Sequence, residues 1–204
     1  MSEDLKETAK NLIQRKERVK GEVIRVHGET IKEEAGEEGL KKVEERLKEI
    51  GCPIEFSKIK PLEWRKEAES ALTLLVAKEV LNWDDEKIFY VGWCAPRKSF
   101  IIKFLIRYFT SIERVFRDAP KYWRKHVDFG ELVPVKIDTQ NKFISIRVLN
   151  HDFHPVICIY WRGYFTSIAQ LSLPKGEVWV EETKCIYRGD EYHQFEINWK
   201  NKDE

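Results

Sequence analysis

Two thiols, a carboxylate and an imidazole stand toward the C-terminal end of this 204-residue chain, at Cys158, Glu182, Cys185 and His193. Thiolate, imidazole and carboxylate are the usual donors to tetrahedral zinc, and four of them complete its first coordination shell. The chemistry these residues suggest is therefore metal binding, with zinc the expected ion. They are not the close Cys-x-x-Cys pairs that bring donors together by themselves. Folded elements must do that work.

Spacing shows how they could. In the run 177–183, Val178, Val180 and Glu182 fall on one face of a strand, so Glu182 ends an apolar row. In the run 192–200, His193, Phe195, Ile197 and Trp199 share the apolar face while Gln194, Glu196 and Asn198 face water. Cys185 and His193 bracket the turn residues Arg188, Gly189 and Asp190, so a hairpin would close the two ends together. Cys158 alternates with Val156 and Tyr160 and is expected on a third strand. Three neighbouring elements then deliver four ligands to one point. The plainer alternatives are small buried cysteines, a satisfied core histidine and an ion-paired glutamate.

The remaining elements follow from periodicity and punctuation. Residues 1–20 are mostly polar, with Leu5, Ala9, Leu12 and Ile13 at helical spacing, which predicts an N-terminal helical extension and a possible dimer contact. A short strand is expected at 22–26 after Gly21. Two helical stretches follow, the second over 38–50 with Gly51 as its C-terminal glycine. Further helices are expected at 64–81, after the start signal Asp84-Asp85-Glu86, and at 99–116, the most aromatic stretch. After Pro120 the texture predicts strands at 131–137, 142–149, 155–161, 177–183 and 192–200, with a short helix at 163–173. The expected class is α+β, a helical N-terminal half packed on a C-terminal antiparallel sheet, with 21–204 as a single domain.

Composition narrows the partners. Thirty-six Lys and Arg nearly balance 35 Asp and Glu, giving +1, so the total offers no basic surface for nucleic acid. No apolar run reaches the roughly 18 residues of a membrane span, and the polar N-terminus is unlike a secretory signal. A cytoplasmic protein is expected. Four scattered cysteines suit reduced thiols better than a disulfide framework.

The stretch His154-Pro155-Val156-Ile157-Cys158, then Gly163-Tyr164, then Glu182-Thr183-Lys184-Cys185, then Gly189 and His193 resembles the C-terminal signature of the 4-vinyl reductase domain family. In that family a final cysteine stands where this chain has His193. The resemblance implies a zinc site at Cys158, Glu182, Cys185 and His193, since histidine for cysteine preserves tetrahedral coordination. A looser likeness in the order of elements reaches the haem nitric-oxide-binding fold and the small TRAPP-complex subunits. Haem itself is not expected: the stretch 99–116 has no histidine, no Tyr-x-Ser-x-Arg run is present, and His126 is expected in a loop after Pro120.

What the resemblance implies is a small-molecule sensor whose zinc clamps the last hairpin over a hydrophobic pocket. An apolar or aromatic ligand is expected, with Phe104, Tyr108 and Trp123 in the lining. A shell of four protein ligands leaves no open position for catalysis. The alternatives are a reductase acting on a vinyl-bearing tetrapyrrole-like substrate, for which no dinucleotide-binding glycine turn is visible, and a non-catalytic assembly module.

Overall fold

In the computed structural model, which describes residues 2–99, 102, 111–173 and 176–201, helix α1 (Ser2–Ile13) leads through strand β1 (Arg18–Lys20) into the long helix α2 (Gly21–Glu49). Strand β2 (Trp64–Lys66) and helices α3 (Glu67–Val80), α4 (Asp85–Lys98) and α5 (Ile112–His126) continue the helical half. There follow β3 (Glu131–Asp138), β4 (Phe143–Leu149), α6 (Pro155–Ser172), β5 (Gly176–Lys184) and β6 (His193–Asn201). The architecture is the expected α+β class. Strands β3 to β6 form one antiparallel sheet in the order β3, β4, β6, β5.

Local chemistry explains most boundaries. Asp84 caps α4 by accepting a hydrogen bond from the Lys87 amide at 3.0 Å, as its position ahead of two acidic residues predicts. Gly36, at φ 72°, divides α2 into two helical pieces, and Gly51, at φ 83°, turns the chain just after it. The apolar face of α1 lies on α3, burying Ala9 and Leu12, and Lys66 Nζ donates to the Ile13 carbonyl at 2.6 Å.

Four expectations need correction. The run 155–161 is not a strand but the start of α6. Its side chains Val156, Ile157, Cys158, Tyr160 and Trp161 are buried around the helix, so no face betrays a period. His154 Nδ1 caps this helix by accepting from the Val156 amide at 3.1 Å, and Pro155 occupies the first turn, where a missing N–H costs nothing. Residues 22–26 lie inside α2, and the strand comes just before, at β1, pairing antiparallel with β2. The expected helix 99–116 is not continuous, because Ser111 is extended and begins α5 by accepting from the Arg114 amide at 3.3 Å. Pro120 sits inside α5, which carries His126 as its last residue rather than in a loop.

The core lies between sheet and helices. Ile144, Ile146 and Val148 of β4 and Phe195 and Ile197 of β6 are fully enclosed. Helix α6 covers them and crosses α4 in backbone contact: a Cβ on Gly163 would stand 1.9 Å from the Phe89 carbonyl oxygen, and one on Gly92 2.0 Å from that of Tyr160. Only glycine permits that approach. The close crossing fixes where α6 places Cys158.

Candidate metal centre and adjoining cavity

Three elements bring the four predicted ligands together. Cys158 stands in the first turn of α6, at the positive end of the helix dipole, which favours thiolate. Glu182 comes from β5 and His193 opens β6, its side chain turned inward as the alternation predicts. Cys185 follows β5 in the turn between the two strands. Its amide donates to Asp190 Oδ2 at 2.8 Å, and its carbonyl accepts from the Arg188 and Asp190 amides at 2.9 and 3.2 Å. Gly189, at φ 93°, lets that turn close.

The four donor atoms all lie within 4.8 Å of one another. Cys158 Sγ is 3.9 Å from Cys185 Sγ and 3.6 Å from His193 Nδ1, which is 3.0 Å from Glu182 Oε1. His193 Nε2 donates to the His151 carbonyl at 3.0 Å, so Nδ1 is the nitrogen left with a free lone pair. An acceptor nitrogen facing a carboxylate oxygen is repulsive unless a proton or a cation lies between them. Two thiols, a carboxylate and an imidazole aimed at one point fit a zinc-like ion in both donor type and number.

The surroundings are closed. Cys158 and Cys185 are each 5% exposed and His193 is fully enclosed. Burial, with the charge of Glu182 beside it, pushes the Cys158 thiol well above its usual range, and burial pushes Cys185 up as well. An ion entering here displaces the thiol protons. Arg188 holds the outside of Glu182, donating to its carbonyl at 2.8 Å.

Beside this centre lies a cavity of about 140 Å³. Phe116, Trp123, Tyr160, Trp161, Tyr164 and Phe165 form its aromatic walls. Of the pocket residues expected from sequence, Trp123 is there, its indole N–H donating to the Phe129 carbonyl at 3.1 Å. Phe104 and Tyr108 lie outside the described residues. His126, from the end of α5, also reaches the wall, and burial followed by the charges of Lys20 and Lys125 lowers its pKa. Sequence reading missed the two acids in the lining, Glu22 and Glu67, both nearly inaccessible. Glu67 had left a signal: it stands four residues before Ala71, hence on the apolar face of its helix.

Metal centre and cavity share a wall. The Trp161 ring lies edge-on to His193 at 5.8 Å and to Trp123 at 5.5 Å. His151, whose carbonyl orients His193, packs its ring against Trp161 at 4.5 Å and Phe129 at 5.0 Å.

No protein-family model matches this chain, the 4-vinyl reductase domain included, and no curated protein matches it in sequence. Solved structures do resemble it. The H-NOX protein of S. oneidensis in its Fe(II)NO ligation state superposes with a TM-score of 0.68 at 14% identity, over 89% of this chain and 99% of that one. An oxygen-binding H-NOX domain related to soluble guanylate cyclases, in its oxygen complex, gives 0.63 at 16% identity over 89% and 95% of the two chains. The unliganded Fe(II) H-NOX protein of K. algicida gives 0.62 at 10% identity over 89% and 97%. At these identities the likeness is one of fold, and the fold this chain shares is that of the H-NOX domains.

Proposed function

We propose that this chain is a small-molecule-binding sensor domain in which a structural zinc ion, held by Cys158, Glu182, Cys185 and His193, clamps the β5–β6 hairpin beside an aromatic cavity. One observation carries the reading: four converging donors share a wall with a cavity lined almost wholly by apolar and aromatic side chains. A four-ligand shell supplies structure and leaves no position for a reacting group. The unit proposed is the domain 21–204 with α1 as a brace laid on it.

The cavity volume favours a small ligand. An apolar protein cavity of roughly 150 Å³ takes one benzene, and this one measures about 140 Å³. A haem macrocycle is several times larger. Its propionates would also need cationic partners, whereas the described lining residues include two acids and no Lys or Arg. The described residues therefore do not fit haem, although H-NOX proteins in the matching structures carry Fe(II). The same volume speaks against a tetrapyrrole substrate for a reductase. A single-ring aromatic or compact apolar ligand is what the walls suit.

Native mass spectrometry of the purified protein tests this directly. One zinc per chain, with toluene adding as a second mass, is the expected spectrum, and the same measurement reports whether the chain forms the homodimer proposed for it. A chain that folds without metal and takes up no aromatic molecule would refute the reading.

A further inference from the structure

Glu67 does not belong in an aromatic wall. It is 4% exposed at the first position of α3, and among the described residues its carboxyl has no hydrogen-bond donor and no cation beside it. Burial, with the charge of Glu17 nearby, pushes it up to about 8. A buried carboxyl without a partner is costly and is kept where something else completes it. Glu22, 3% exposed, stands in the same lining. Burial first, and then the charges of Tyr164, Glu67 and Glu22, push the enclosed Tyr160 hydroxyl up. The described lining holds His126 and no Lys or Arg. Phe116, Trp123 and Trp161 stand in the same lining, and aromatic rings attract a cation within about 6 Å of the ring.

Building on the zinc-clamped pocket reading, we infer that the ligand class is a small aromatic amine, its ring filling the benzene-sized cavity and its ammonium group meeting the Glu67 carboxylate. An ammonium offers three donors and no acceptor, which suits the Glu67 carboxylate. A neutral amine reaches the same state by taking the Glu67 carboxyl proton, giving ammonium and carboxylate with no third reactant.

The test uses the full chain, zinc-loaded, with benzylamine, benzyl alcohol and toluene as calorimetric titrants at one pH. Benzylamine is expected to bind about tenfold to a hundredfold more tightly than toluene, the span of a charge-assisted hydrogen bond. In Glu67→Gln that advantage is expected to collapse to less than about threefold while toluene binding is kept, which also certifies that the variant is folded. If toluene binds but benzylamine is no tighter than benzyl alcohol in the parent chain, the amine inference is overturned and the apolar pocket stands. If none of the three binds, the pocket reading itself fails and the inference with it.

Discussion

At the scale of single residues, His193 organises the metal centre: one ring nitrogen is tied to the His151 carbonyl and the other aimed among two thiols and a carboxylate. Cys185→Ser is expected to take zinc from one per chain to none and to lower stability by about 3 kcal/mol or more, because metal-binding energy is folding energy. Elemental analysis and a thermal melt check it; a variant that keeps zinc and melts like the parent would refute the site. Glu67 makes a second prediction. Its carboxyl titrates near 8 in the fold and near 4.5 when unfolded, so between those values the folded state binds the extra proton. Stability from this group is complete below about 4.5, falls as pH rises toward 8 and then levels, a loss of at most roughly 5 kcal/mol. Denaturant melts at saturating zinc should show that fall, and Glu67→Gln should remove it. The convergence of these four side chains was legible from their types because strand alternation and a hairpin turn are written in short spacings. Glu67 was harder to see because a single acid at a helix start reads equally well as a favourable charge on the helix dipole.

Among the elements, the four strands of the sheet could be read almost to the residue, since turn residues bracket them and β5 and β6 alternate between a buried and a more exposed face. The run 155–161 could not. Helix α6 is enclosed nearly all round, so Val156, Ile157, Tyr160 and Trp161 look like a buried strand, and only His154 and Pro155 mark a helix start. The misreading did not displace Cys158, because a helix first turn and a strand end can reach the same point. Gly163 has a physical role that its spacing does not reveal: it lets α6 touch the backbone of α4. Gly163→Ala must push the two helices apart, since its Cβ would meet backbone rather than a movable side chain. The expected cost is about 3 kcal/mol, the upper part of the overpacking range. Zinc affinity should weaken as well, because Cys158 rides on the displaced helix. A variant with unchanged melting temperature and metal content would show that the crossing is looser than the structure gives.

For the molecule as a whole, the N-terminal helix is part of the packing. Ala9 is fully enclosed and Leu12 nearly so, and Arg15 Nη2 reaches Asp152 Oδ1 at 2.6 Å, just ahead of α6. Deleting residues 2–13 is expected to cost about 2–4 kcal/mol, the loss of one large and one small buried side chain plus the surface they cover. A thermal melt that does not shift would mean the helix is dispensable. The sequence showed the amphipathic pattern but not which surface it would meet, because a partner surface is a tertiary property. The metal centre has a last consequence at this scale. Its ligands span 35 positions from Cys158 to His193. With the ion in place that span is a closed loop, and chain statistics for a cross-link of this length give about 4 kcal/mol of lost freedom in the unfolded ensemble. Zinc held there as proposed would be a reversible staple whose strength is set by free zinc, so the equilibrium stability of the domain would read out how much metal surrounds it.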